Sequence, residues 1–223
     1  MPGFTRIQVA LAMVETGLVP LFYHSDAGIC REVISACYAG GARVFEFTNR
    51  GPFAHEVFAG VKKWAREHCP GMMIGTGSVI DAPTAALYMQ LDADFIVSPV
   101  LNAEVARTCN RRKVLWVPGC GTLTEISQAE ELGAEIVKIF PGTSVGGPAF
   151  VKAVKAPCPW TSIMPTGGVD PSEENLRQWF AAGAACVGMG SALITDKLIK
   201  AAGWQELKEN VQATLDTIKK LRA

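Results

Sequence analysis

Short apolar runs recur along the chain, and each is followed by a stretch with helical spacing. The runs near Leu18–Phe22, Arg43–Phe47, Met72–Gly75, Phe95–Val97, Val114–Val117, Ile136–Ile139, Ser162–Met164 and Cys186–Gly188 read as strands. They stand roughly 20–30 residues apart, the length of a strand plus a crossover helix. Several intervening helices carry start and stop signals. Thr122 and Glu125 fit a capping box with Gly133 as the stop, Asp81-Ala82-Pro83 opens a helix, and Asp170-Pro171 is placed to cap another that Gly183 ends. Two terminal helices flank the alternation. One carries Phe4, Ile7, Leu11 and Val14 at helical spacing, the other Leu207, Val211, Leu215 and Ile218. Unbroken strand–helix alternation implies a parallel sheet with helices outside. About eight such units predict a closed (β/α)8 TIM barrel, with its active site at the carboxyl ends of the strands. The chain from 1 to 223 reads as one such domain. The alternative is an open doubly wound sheet, but no G-x-G-x-x-G follows the first strand and no linker divides the chain.

Two charged residues break this pattern. Lys138 sits inside the apolar run Ile136-Val137-Lys138-Ile139-Phe140. Strand alternation puts Ile136, Lys138 and Phe140 on one face. A lysine is almost never buried without a reason, and a desolvated amine tends to lose its proton and become a nucleophile for carbonyl carbon. Glu46, in Val44-Phe45-Glu46-Phe47-Thr48, is the second. With Phe45 and Phe47 turned toward the helices, Glu46 points inward as Lys138 does. A carboxylate there can shuttle protons, or it can simply form a structural ion pair with the lysine. Arg50 follows in the next loop and has the geometry to clamp a carboxylate. Glycine-rich turns at Gly75-Thr76-Gly77-Ser78, Thr166-Gly167-Gly168 and Gly188-Met189-Gly190-Ser191 close three strands. Such turns present backbone N–H groups to an anion, and barrels bind phosphate after their last two strands. Tight-turn geometry alone would also call for glycine.

Composition narrows the function classes. Hydrophobic residues make up 49%, enough for a large core, and acids balance bases at 21 each, without the basic excess expected of a nucleic-acid or acidic-membrane partner. Seven irregularly spaced cysteines with no C-x-x-C read as reduced thiols in a cytoplasmic protein. No secretory pattern opens the chain, and glycines interrupt its longest apolar stretch short of a membrane span. His24, His55 and His68 are scattered, so no metal site is expected.

The ordered set Glu46-Phe47-Thr48-Asn49-Arg50, Gly75-Thr76-Gly77-Ser78-Val79, Val97-Ser98-Pro99, Val117-Pro118-Gly119, Val137-Lys138-Ile139-Phe140-Pro141, Pro165-Thr166-Gly167-Gly168-Val169 and Gly188-Met189-Gly190-Ser191 resembles the 2-keto-3-deoxy-6-phosphogluconate (KDPG) / 4-hydroxy-2-oxoglutarate (KHG) aldolases. The resemblance implies a class I aldolase on a (β/α)8 barrel, commonly a homotrimer, acting on a small keto acid without metal or cofactor. Lys138 would then form the Schiff base and Glu46 act as general acid and base. Arg50 and Thr76 would hold the pyruvyl carboxylate, and Pro99 and Phe140 would line the pocket. Thr166, Gly167, Gly168, Gly190 and Ser191 would reach the phosphate end. One departure stands out, since relatives often carry an arginine where this chain has Tyr23-His24. Substrates derived from phosphogluconate or phosphogalactonate and unphosphorylated hydroxy-oxoglutarate all stay open. A phosphosugar isomerase or epimerase on the same barrel, and a non-catalytic phospho-ligand-binding barrel, are the rival readings.

Overall fold

The apolar runs form strands that pair in parallel, in chain order. In the computed structural model, which describes residues 3–223, these are β1 (Leu18–Phe22), β2 (Val44–Thr48), β3 (Met73–Gly77), β4 (Phe95–Val97), β5 (Leu115–Val117), β6 (Gly119–Cys120), β7 (Val137–Ile139), β8 (Ile163–Pro165) and β9 (Val187–Met189). Most begin one residue later than the sequence pattern indicates. One sheet has the order β5-β4-β3-β2-β1-β9 and a second the order β6-β7-β8. β5 and β6 are one stretch of chain divided at Pro118, so that stretch borders both sheets. An isolated parallel bridge between Thr166 and Gly188 links the end of β8 to β9. The result is an α/β fold whose parallel sheet is curled.

Helices follow the strands: α2 (Ala27–Ala39), α3 (Ala54–His68), α4 (Ala82–Gln90), α5 (Ala103–Arg112), α6 (Leu123–Glu131), α7 (Gly147–Lys155), α8 (Glu173–Ala181) and the short α9 (Asp196–Lys200). Asp81 and Thr122 cap α4 and α6, each accepting a backbone N–H of the first turn, but the capping box expected at Thr122 is not closed, because Glu125 accepts the Gly121 N–H instead of the Thr122 N–H. The cap of α8 differs from expectation. Ser172 is its N-cap, and Asp170 instead accepts the Ser172 N–H at 2.9 Å and hydroxyl at 2.5 Å. An Asp-Pro pair two residues upstream makes a turn that leads into the helix rather than starting it.

Side-chain alternation divides the core in two. Phe45, Phe47, Ile74, Ile96, Trp116, Val137 and Ile139 face the helices. Val19, Val44, Phe95, Val97, Leu115, Val117, Ile136 and Met164 fill the inner face of the curl. Helix α1 (Arg6–Thr16) covers that inner cluster with Val9 and Met13. The expected face of α1 is not the buried one, since Ile7 is 68% and Leu11 54% exposed. Apolar residues occupy nearly every side of this helix, so periodicity alone does not select a face. The last helix, α10 (Trp204–Arg222), buries Leu207, Val211 and Ile218 and packs between α2 and α8.

At the amino ends of the strands lies a buried charge cluster. Lys62 of α3 hydrogen-bonds Asp94, which is fully buried and also accepts the Ile74 N–H at 2.8 Å. Burial pushes the Asp94 carboxyl above its ordinary range, against the opposing pull of the Lys62 charge. Asp92 lies 3.8 Å from the same ammonium and 2.6 Å from Arg66. All seven cysteines are free thiols, and six are buried. No helix among the described residues is long and apolar enough to cross a membrane.

Candidate active site

The inner face of β2 carries Val44, Glu46 and Thr48 in succession, and that of β7 continues from Ile136 through Lys138 to Phe140. Glu46 is 1% exposed and Lys138 5%. Their side chains meet across the curl with Lys138 Nζ 3.9 Å from Glu46 Oε1. That is an ion-pair distance, too long for a hydrogen bond. Glu46 Oε2 has no hydrogen-bond partner among the described residues. The Lys138 ammonium also lies 5.1 Å from the centre of the Phe140 ring, within cation–π range.

Room for the Glu46 carboxylate comes from β3. Gly77 stands opposite, and a Cβ added there would lie 1.7 Å from Glu46 Oε1. The glycine therefore has a spatial reason at this position, beyond the backbone approach read from the motif. Gly188 plays the same part for Thr166, whose Oγ1 would sit 2.3 Å from an added Cβ. Thr166 is buried, and that hydroxyl also lacks a partner among the described residues.

One layer above Lys138 and Glu46, at the carboxyl ends of the strands, a cavity of about 570 Å³ opens. Thr48, Arg50 and Phe140 line it on the side nearest Lys138. Thr166, Gly167, Gly168, Gly190 and Ser191 line it after β8 and β9. Arg50, Phe140, Thr166, Gly167, Gly168, Gly190 and Ser191 thus share one cavity, Lys138 and Glu46 lie beneath it on the faces that carry Phe140 and Thr48 without lining it, and two predicted residues stand apart. Thr76 does not reach the cavity. Its strand partners Phe47 and Ile96 face the helices, and Thr76 is in register with both. Residues in register on neighbouring parallel strands share a face. Pro99 does not line the cavity either, and its carbonyl packs against the Cα of Gly119. The polar group beside Arg50 is Ser78, two residues past Thr76. Ser78 Oγ accepts from Arg50 Nε at 3.3 Å, and Ser78 adopts a left-handed φ of 60° to do so. The signal for Ser78 was present in the strand period, which turns residue 76 outward, although the sequence pattern ends this strand at Gly75 and the structure carries it to Gly77.

Further residues line the cavity that the motifs did not assign: Tyr23 after β1, Asp170 after β8 and Asp196 at the start of α9. Arg50 is the one cation among the lining residues. The backbone N–H groups of Gly168, Ser191 and Ala192 donate to no backbone acceptor among the described residues. A second cavity, of about 560 Å³, lies at the amino ends of the strands between α1 and α10, far from Lys138 along the chain direction of every strand. Among the described residues no group of three His, Cys, Asp or Glu side chains is placed to hold a metal ion.

The arrangement can therefore present an amine and an acid/base to one carbonyl substrate, with anion donors at both ends of the cavity. Comparison with known proteins agrees with that chemistry. The family model for KDPG and KHG aldolase matches residues 9–210. A 2-dehydro-3-deoxy-phosphogluconate aldolase of Haemophilus influenzae is 29% identical over 97% of this chain and 100% of its own length. The Pseudomonas aeruginosa enzyme of the same name is 31% identical over 91% of this chain and 89% of its own. In structure, a KDPG aldolase of Legionella pneumophila superposes with a TM-score of 0.83 over 92% of this chain and 97% of that one, at 24% identity. The chain belongs to the KDPG and KHG aldolase family, whose members are carbon–carbon lyases.

Proposed function

We propose that this aldolase cleaves a 2-keto-3-deoxy-6-phospho sugar acid to pyruvate and glyceraldehyde 3-phosphate through a Schiff base on Lys138. The observation that carries the reading is the buried pair itself. Nζ and Oε1 lie 3.9 Å apart, and the second carboxylate oxygen is left without a protein partner. A pair built only for structure closes a direct hydrogen bond, as Lys62 and Asp94 do, whereas this amine and carboxylate are held apart with bonding capacity to spare.

Lys138, deprotonated, adds to the C2 ketone and gives a carbinolamine. Glu46 as acid protonates the leaving hydroxyl, water departs and an iminium forms. Glu46, now a carboxylate, removes the proton of the C4 hydroxyl. The C3–C4 bond breaks, its electrons pass into the iminium, and the aldehyde leaves with an enamine remaining on Lys138. Protonation of the enamine at C3 and addition of water release pyruvate and restore the amine. Each proton transfer by a positioned group is worth about 10²–10⁴ in rate. Arg50, oriented by Ser78, takes the pyruvyl carboxylate. The N–H groups of Gly168 and Ser191 receive the phosphate, the kind of anion site that glycine turns provide. The same machinery also serves 4-hydroxy-2-oxoglutarate, giving pyruvate and glyoxylate.

Two coarser features extend with this reading. The divided stretch β5–β6 and the Thr166–Gly188 bridge join the two sheets at both borders, which supports a closed (β/α)8 barrel. Exposed Phe53, Ile80, Val100 and Leu123 follow β2, β3, β4 and β6 as a row beside the cavity, a surface that a homotrimer would cover.

The direct test is borohydride reduction in the presence of pyruvate. Covalent modification of the peptide containing Lys138 is expected. Modification at another lysine, or none, overturns the assignment.

A further inference from the structure

Tyr23 follows β1, and β1 lies between β2 and β9 in the sheet. Going around the rim, Arg50 after β2 comes first, then Tyr23, then Ser191 after β9 and Gly167 after β8. All four residues line the one cavity. A ligand stretched from Arg50 to the glycine turns must therefore pass Tyr23.

The phenol is held in place from two sides. Its ring meets Phe47 edge-on with centroids 5.5 Å apart. Its hydroxyl oxygen lies 3.1 Å from where a Cβ on Gly51 would be, and Gly51 has a φ of 104° that disfavours any side chain. Neighbouring polar groups are satisfied within the protein. The Tyr88 hydroxyl bonds Asn49 at 2.8 Å, and Arg50 Nε bonds Ser78. The Tyr23 hydroxyl makes no such bond among the described residues, and Tyr23 lines the cavity between Arg50 and Ser191. A phenol that both donates and accepts suits a hydroxyl partner, which does the same.

We propose that Tyr23 is a specificity-determining residue whose hydroxyl hydrogen-bonds the C5 hydroxyl of the substrate, midway between the carboxylate at Arg50 and the phosphate at the glycine turns. This rests on the aldolase reading above. The C5 hydroxyl of the cleaved acid is the C2 hydroxyl of the aldehyde product, so the reverse aldol addition isolates it. Pyruvate is added to glyceraldehyde 3-phosphate and, separately, to 3-phosphooxypropanal, which differs by that one hydroxyl. The wild-type protein is expected to favour the hydroxylated aldehyde about tenfold in kcat/KM. Tyr23→Phe keeps the ring packing and is expected to reduce that preference to within about twofold, by slowing the hydroxylated aldehyde alone. An unchanged preference, or an equal loss on both aldehydes, overturns the proposal. Pyruvate trapping on both proteins separates the two failures. If the wild type is not trapped at Lys138, the aldolase reading falls. If both are trapped and the preference is unmoved, only the role of Tyr23 falls.

Discussion

The molecule buries two lysine–carboxylate pairs, and they are built to opposite ends. At the amino ends of the strands, Lys62 is bonded directly to Asp94, Asp94 takes a backbone N–H as well, and Asp92 and Arg66 extend the network. At the carboxyl ends, Lys138 and Glu46 stand 3.9 Å apart without a hydrogen bond, and one carboxylate oxygen is left bare. Burial is alike in the two places, with side-chain exposures of 5% and 6% for the lysines. Direct bonding is what differs, since each carboxylate keeps one buried oxygen without a partner among the described residues, Oδ1 of Asp94 and Oε2 of Glu46. A directly bonded network holds the fold together, whereas an open pair, its amine and carboxylate held apart, leaves bonding capacity for something that is not part of the protein. Their positions agree with this division, because barrel-type sheets keep chemistry at the carboxyl ends and stability at the amino ends.

The sharpest way to break the comparison is to remove each lysine. Lys138→Met is expected to lower turnover by about 10⁴-fold or more while leaving the thermal midpoint close to that of the wild type. Turnover near the wild-type rate in a folded variant would place the nucleophile elsewhere. Lys62→Met should do the reverse. Its loss leaves Asp94 buried without its counter-charge, at a cost of about 3–5 kcal/mol in chemical denaturation. Pyruvate trapping by the fraction that stays folded should match the wild type. A smaller, third effect sharpens the division within the open pair. Glu46→Gln keeps the shape and is expected to slow turnover about 10²–10⁴-fold. Borohydride trapping of pyruvate should slow with it, since iminium formation also needs the acid. A large loss of pyruvate binding at intact turnover would make Glu46 a positioning group instead.

Much of this was legible in the residues. Periodicity located eight of the nine strands to within about two residues, the usual uncertainty at element ends, and missed the two-residue β6 past Pro118, while alternation along β2 and β7 turned Glu46 and Lys138 inward. The same rule applied to β3 turns Thr76 toward the helices and leaves Ser78, just past the strand, as the partner of Arg50. Motif resemblance pulled attention to the threonine, and the two-residue period corrects it. Lys62 was not legible. It precedes Lys63 on an amphipathic helix, where a lysine reads as solvated, and only the tertiary approach of Asp94 buries it. The face of α1 was hidden for a related reason, because several apolar stripes compete on one short helix and the inner cluster chooses among them.

The space kept open at Gly77 has a practical meaning. An inactivating lesion in this enzyme need not touch any group that binds, donates or accepts. A single methyl, Gly77→Ala, would evict the acid from its berth and is expected to slow cleavage while leaving the amine able to meet a ketone. A search for off-switches confined to reactive side chains would pass over this position, and so would an inhibitor strategy that ignores vacancy as a designed property.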